Sequence, residues 1–426
     1  MSSESPPKPT SKRGLAAWCL YDWANSAFPT VVITFVFAAY FTKGVAADEI
    51  TGTAQWGWAM SLSALAVAIV APFLGAIADQ GGRRKPWLFG FTVLTVIASA
   101  ALWQIHPDVS FVMLALILAG LGNFAFEMGM VFYNAMLPDI APGRKIGRLS
   151  GWGWGLGYFG GLCCLAVTLV GFVQTETPWL GLSKDLSEHL RATPVLVALW
   201  FAVFSVPLFM FTPDKPATKK ALSAAVSDGI ATLFATFRKI RDYRQIARYL
   251  LARMIYTDGI NTLFAFGGIY AVGSFGFSFA ELIQFGIAIN VAAGIGAFGF
   301  AWLDDRIGPK KVIYIALAGL MILGATLLII QDKEMFWLFG VPLGLFVGPA
   351  QSASRSLMAH IAPPALRTEM FGLYAFSGKA TAFLGPAFLA IATDLFQSQR
   401  AGMATILIFF LVGGFLLLPV IDARRE

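Results

Sequence analysis

The stretch Gly75-Ala76-Ile77-Ala78-Asp79-Gln80-Gly81-Gly82-Arg83-Arg84-Lys85 decides how this chain is read. It is a short polar, basic break between two apolar runs, at about 56–78 and 86–104. Each run reaches the roughly 20 residues that cross the hydrocarbon core of a bilayer. The break returns as Asp305-Arg306-Ile307-Gly308-Pro309-Lys310-Lys311, 226 positions on and again between apolar runs. Outward from these two breaks, similar runs fill the chain at about 15–41, 110–137, 149–173, 193–212, 247–272, 281–303, 312–330, 336–360, 370–396 and 400–421. The sequence is therefore read as an all-α membrane protein of twelve transmembrane helices, numbered here as spans 1 to 12.

Composition agrees. The 426 residues are 57% hydrophobic and only 13% charged, about half the charge of a typical soluble domain. The net charge of +7 does not indicate nucleic acid, because the bases sit in short gaps and form no isolated face. Cys19, Cys163 and Cys164 lie in or beside apolar segments. They make neither a disulfide framework nor a metal site, and no cofactor or metal is expected. Residues 1–14 are polar and rich in Pro and Ser, and read as a disordered tail rather than a cleaved signal.

Lys and Arg set the orientation. With the N-terminus inside, the outer loops hold only Lys43, Lys184, Arg191, Lys333 and Arg400. Both termini are expected in the cytoplasm, and a bacterial inner (plasma) membrane is the expected location. The longest polar gap divides the chain into bundles 15–212 and 247–421, with a linker at 213–246 and a tail at 422–426. In the linker, Leu222, Val226, Ile230, Leu233, Phe234 and Phe237 recur at helical spacing, ahead of Arg238, Lys239, Arg241 and Arg244. This reads as an amphipathic helix on the inner leaflet.

The two halves match in order. Asp22-Trp23-Ala24-Asn25-Ser26 in span 1 resembles Asp258-Gly259-Ile260-Asn261-Thr262 in span 7, 236 positions on. The two basic breaks follow spans 2 and 8. After spans 4 and 10, Ala141-Pro142 running to Gly151 matches Ala362-Pro363 running to Gly372, 221 positions on. A duplicated six-helix unit explains ordered matches at nearly constant spacing.

Gly75, Asp79, Gly82, Arg83, Arg84 and Lys85, between spans 2 and 3, resemble the loop signature of the major facilitator superfamily; Asp305, Arg306, Gly308, Lys310 and Lys311 resemble its second copy. Tyr21-Asp22-Trp23-Ala24-Asn25-Ser26 and Tyr133-Asn134-Ala135-Met136-Leu137-Pro138-Asp139 resemble the branch that includes vacuolar amino-acid effluxers linked to autophagy. The resemblance implies a 6+6 fold that alternates access about a central site. It implies that Asp79 faces the start of span 11 near Gly372, and that Arg83 pairs with Asp139. A carboxylate suits the positive end of a helix. His360 stands where the second half would match Asp139, so the second latch is expected to differ. Span 5 carries Gly151, Gly153, Gly155, Gly157, Gly160 and Gly161, but Tyr158 stands where the superfamily's antiporter motif has Pro, and span 4 has Glu127 in place of its Arg motif. Antiport and the usual proton relay are therefore not implied.

Charges inside spans are costly and mark either partners or a pathway. Asp22, Glu127 and Asp258 stand against Arg253, Arg355 and Lys379. Asn123, Glu127 and Asn134 fall within ~40° on one face of span 4 at 100° per residue. Asp22 with Asn25, and Asp258 with Asn261, occupy matching places in the two halves. Arg355 with Gln351, and Lys379, suit a solute carboxylate. Two readings stand: a substrate or proton pathway, or pairing of these charges among themselves. Trp152 and Trp154 read as packing or pathway lining.

The expected function is secondary active transport of a small polar solute, an amino acid among the candidates, with protons as the candidate coupling ion. Lipid is the surrounding partner, nucleic acid is not one, and a monomer is expected. The alternatives are a receptor on a transporter fold and a membrane-embedded enzyme. Against the enzyme, the sequence shows no phosphate-binding loop, nucleophile motif or metal cluster, and His106 and His189 fall in outer loops.

Overall fold

Backbone polar groups have no water to bond in a bilayer, so a chain of this composition must close its hydrogen bonds within helices. In the computed structural model, which describes residues 10–141, 145–218, 222–238 and 242–421, the described residues form helices and connections without strands. Pro142, Lys239, Arg241, the tail at 422–426 and the first nine residues lie outside that description.

Spans 1 to 6 are Lys12–Val45, Glu49–Gly81, Lys85–Gln104, Val109–Ile140, Ile146–Val173 and Glu188–Phe211. A linker helix, Leu222–Arg238, follows. Spans 7 to 9 are Arg244–Phe275, Phe279–Ile307 and Pro309–Ile329, and span 10 is Lys333–Ile361. Span 12 is Gln399–Leu417. Among the described residues, ten of these helices are long and apolar enough to cross a membrane on composition alone. Span 7 is not among them: its first half carries Arg244, Arg248, Arg253 and Asp258, and its second half is diluted by Asn261, Thr262, Gly267, Gly268 and Gly273.

Span 11 corrects the sequence reading of one helix over 370–396. It is two pieces, Arg367–Ser377 and Leu384–Phe396, joined by turns. Span 1 is also uneven: beyond Asn25 it widens into π-helical turns at Phe28–Phe35, with Pro29 at their start. Proline cannot donate to the preceding turn, and Thr34 Oγ1 donates to the Pro29 carbonyl at 2.9 Å.

The ends of the spans near both termini are called the terminal side here, and the opposite ends the far side. The six-helix halves meet on the terminal side along two seams that repeat each other. A Cβ on Gly372 of span 11 would lie 2.5 Å from the Ala71 carbonyl oxygen of span 2. A Cβ on Gly151 of span 5 would lie 2.6 Å from the Ala297 carbonyl oxygen of span 8. Ala71 and Ala297 are 226 positions apart, and Gly151 and Gly372 are 221 apart, so the sequence repeat is a repeat in space. Only residues without side chains let backbones approach this closely.

One expectation about a segment outside the core is corrected, and the linker helix is seated on span 2. Arg191 is not a loop residue. It lies in span 6, 4% exposed, with its guanidinium 4.7 Å from the Trp103 ring centroid and Nε donating to the Trp103 carbonyl at 2.9 Å. The linker helix does not turn all its apolar face outward. Leu233 and Ala225 are buried, and a Cβ on Gly229 would lie 2.8 Å from the Ile77 backbone of span 2. Val226 and Phe234 face away. The side chains of Leu222 and Phe237 lie outside the description.

Candidate functional site

Span 2 ends at Gly81, and Gly82 turns the chain with φ +81°, a conformation glycine adopts without penalty. Gly308 repeats the turn after span 8 at φ +92°. The first turn aims Arg84 inward and leaves Arg83 exposed. The implied Arg83–Asp139 pair is therefore corrected: Arg84 makes it, and Arg367 from span 11 bonds the other oxygen of Asp139. Asp79 accepts from the backbone N–H of Thr368 at 2.7 Å and of Glu369 at 2.9 Å, and from Thr368 Oγ1 at 2.6 Å. This places it at the first turn of span 11, one turn before Gly372. Gly75 lies directly against Thr368.

In the second copy Asp305 accepts from the Arg148 backbone N–H at 3.0 Å and pairs with Arg148 Nε at 3.1 Å, at the start of span 5. His360 bonds the Ser356 carbonyl of its own helix at 2.7 Å. The cation partners differ between the copies, and the carboxylate at a helix start is retained. Lys85 Nζ bonds the Phe209 and Thr212 carbonyls at the end of span 6, and Lys310 Nζ those of Leu418 and Val420 at the end of span 12. Arg306 and Lys311 are exposed.

The linker joins this closure, which the sequence did not reveal. Asp214 accepts from the backbone N–H groups of Arg84 and Lys85, each at 3.0 Å. Lys215 Nζ lies 3.5 Å from Asp139. Burial, then the neighbouring Arg84 charge, lowers the Lys215 ammonium below its ordinary value.

Inside the closure, Asp22 Oδ2 meets Arg355 Nη1 at 3.1 Å, with both residues buried. Tyr133 donates to the same carboxylate at 2.9 Å. Arg355 also donates to Asn134 Oδ1 at 3.2 Å, Ser150 Oγ at 2.9 Å and the Ser150 carbonyl at 2.6 Å. The guanidinium lies between the rings of Trp18 and Trp154, 5.0 and 5.6 Å from their centroids.

Next to this pair lies a cavity of about 260 Å³ between the halves. Among the sequence candidates, Glu127, Asn134, Arg253, Asn261, Gln351, Arg355 and Lys379 line it. Glu127 Oε1 and Lys379 Nζ meet at 2.8 Å across it, each about a quarter exposed. Lys379 stands in the break of span 11. Arg253 lies 3.4 Å from the Tyr374 ring centroid and donates through Nη1 to the Tyr374 carbonyl and Ser377 Oγ, each at 2.6 Å. Its Nε is buried without a partner, as is Trp154 Nε1. Tyr158 donates to Gln351 at 2.5 Å. Asn261, Gln351 and Lys379 also line a cleft of about 760 Å³ between Pro29, Thr34 and Phe35 of span 1 and the far-side parts of spans 7, 8, 9, 10 and 12.

Four candidates lie elsewhere. Asn123 donates to Ser63 at 2.9 Å, and Asn25 contacts Met130 sulfur at 3.4 Å. Asp22 lies below the cavity against Arg355. Asp258 turns to the second piece of span 11, accepting from the Gly385 N–H at 3.0 Å. Trp154 lines the cavity, whereas Trp152 packs on Trp302 with centroids 5.7 Å apart. Tyr133 opens the Tyr133–Asp139 motif but is not marked there as a site residue, and Ser150 and Tyr374, which complete the site, had no distinguishing mark in the sequence.

Comparison with known proteins follows the same lines. The model of a family described as vacuole effluxer Atg22 like matches residues 44–426. The uncharacterized MFS-type transporter YxiO of Bacillus subtilis is 27% identical over 400 residues, covering 93% of this chain and 92% of that protein. Autophagy-related protein 22 of Yarrowia lipolytica is 22% identical, covering 87% and 76%. Among solved structures, the major facilitator proton:xylose symporter XylE superposes with a TM-score of 0.74 at 15% identity, covering 97% of this chain and 96% of that one. At that identity the likeness is one of fold.

Proposed function

We propose, from the fact that the chain belongs to the vacuole effluxer Atg22 like family, that it is a secondary active transporter of small zwitterionic solutes, with amino acids as the substrate class. Transport across a membrane is the activity shared by the major facilitator fold and the MFS-type relative. The observation that carries the finer reading is the Glu127–Lys379 pair across the cavity. A carboxylate and an ammonium facing each other across a small cavity offer one partner to each charge of an amino acid. The unpartnered Nε of Arg253 supplies a further donor for a solute carboxylate. An arriving solute exchanges one ion pair for two, so the desolvation already met by the pair is not met again.

The solute enters from the far-side cleft while the two seams, the Asp79 and Asp305 contacts and the Asp22–Arg355 pair keep the terminal side shut. Rocking of the halves about the cavity then exchanges access. With both termini in the cytoplasm, this is the outward-facing state. The pathway role of the cavity-lining candidates is part of this proposal. The test is counterflow in proteoliposomes loaded with unlabelled amino acids and bathed in a ¹⁴C-labelled L-amino-acid mixture. Transient accumulation of label is expected; label that never exceeds empty-liposome controls removes amino acids as the substrate class.

A further inference from the structure

We infer that the coupling proton binds Asp258, behind the break in span 11 and outside the solute cavity; the inference rests on the transporter reading above. Of the three acids in span interiors, two are held by cations: Asp22 by Arg355 and Glu127 by Lys379. In each pair a cation lies directly against the carboxylate. Asp258 has no cation within salt-bridge distance among the described residues, and it is 2% exposed.

Its surroundings ask for a proton. Asp258 Oδ2 accepts from the Gly385 N–H at 3.0 Å. Oδ1 has no hydrogen-bond partner, and neither has Oγ1 of Thr262, one turn further along the same helix and 1% exposed. Both oxygens lie beside the backbone of span 11: a Cβ on Gly385 would lie 1.9 Å from Thr262 Oγ1 and 3.2 Å from Asp258 Oδ1. An unmade hydrogen bond in a buried site carries the full desolvation cost of the group. A proton on Oδ1 removes a buried negative charge that no cation faces among the described residues.

Among the described residues, no charged side chain bonds Asp258 from the elements packed on it. On span 7, Arg253 is committed to Tyr374 and Ser377. From span 12, Phe409 and Phe410 pack on the adjacent Gly259. From span 11, Gly385 is the contact, and Lys379 faces the cavity with Glu127.

The position couples proton to solute. An ionised Asp258 holds the start of Leu384–Phe396, where the helix presents free N–H groups and positive charge. Protonation removes that pull. Lys379, at the other end of the same break, holds the solute's carboxylate. Proton and solute thus act on one hinge from opposite faces. The proton comes from water on the open side, forms the Oδ1–H bond, and returns to water on the other side when access exchanges.

Infrared difference spectroscopy of the full protein in proteoliposomes tests the site without knowledge of the solute. A buried carboxylic C=O band that titrates with pH is expected, absent in Asp258→Asn and present, shifted in frequency, in Asp258→Glu. A band that persists in Asp258→Asn, no titrating band in the wild type, or bands that respond to sodium instead of pH each overturn the assignment. In the same vesicles, accumulation of the ¹⁴C-amino-acid mixture driven by a pH gradient should be lost in Asp258→Asn; accumulation at wild-type level overturns the coupling role. Absence of wild-type counterflow would instead sink the amino-acid reading and leave the infrared result to decide the site.

Discussion

Asp22 of span 1 and Arg355 of span 10 form a buried ion pair between the two halves, Oδ2 to Nη1 at 3.1 Å. Neither side chain reaches bulk water, and the hydroxyl of Tyr133, the amide of Asn134 and Ser150 complete their hydrogen bonds. A pair so enclosed adds little net stability relative to apolar packing, but losing one partner strands the other. It can open only if water reaches it, which requires the terminal side to part.

Arg355→Met should therefore destabilise the closed state by about 3–5 kcal/mol, through an unpaired buried Asp22. The double variant Asp22→Asn with Arg355→Met should recover most of that loss. Thermal unfolding of the purified protein measures both, and a double variant no better than the single one would refute the pairing.

Glu127 and Lys379 call for the opposite outcome. Each is partly open to the cavity, so neutralising one leaves its partner facing water and the fold nearly unchanged. Solute binding should fall about ten- to hundredfold in Glu127→Gln and in Lys379→Gln, the loss of one charge-assisted contact. Equilibrium binding of labelled amino acids reads this, and unaltered affinity in both variants would make the pair structural.

The two seams predict a matched result. Gly151→Leu and Gly372→Leu each drive a side chain into a facing carbonyl, so neither variant can close the terminal side. Both should increase maleimide labelling of a cysteine placed at Ala71, in a background with the exposed Cys163 replaced by Ser. Because the seams are related by the repeat, a response from one variant alone would contradict equivalence of the two.

The spans and the repeat were legible because hydropathy and spacing are properties of the chain itself. Asp79 at the start of span 11 was legible through the resemblance of its loop to the superfamily signature, and a carboxylate suits a helix start. Other features needed coordinates. Whether Arg83 or Arg84 turns inward depends on the φ of Gly82. Three acids and three bases allow several pairings, and only packing selects Asp22 with Arg355 and Glu127 with Lys379. The break in span 11 falls within Gly378-Lys379-Ala380-Thr381-Ala382-Phe383, which contains no proline to announce it. Asp214 and Lys215 resembled ordinary linker charges until the fold brought span 3 and Asp139 beside them.

The early linker has a mechanical consequence. Asp214 holds the start of span 3, and the backbone of Thr218 donates to the Gly81 carbonyl at 3.1 Å. Up to Thr218 the connector therefore travels with the first half as a rigid extension of it. The linker helix continues that extension, because Gly229 lies against the Ile77 backbone and Gln80 bonds Thr232 at 3.2 Å. Residues inserted before Thr218 would detach the extension from span 2, and the helix would lose the register that seats Gly229 there.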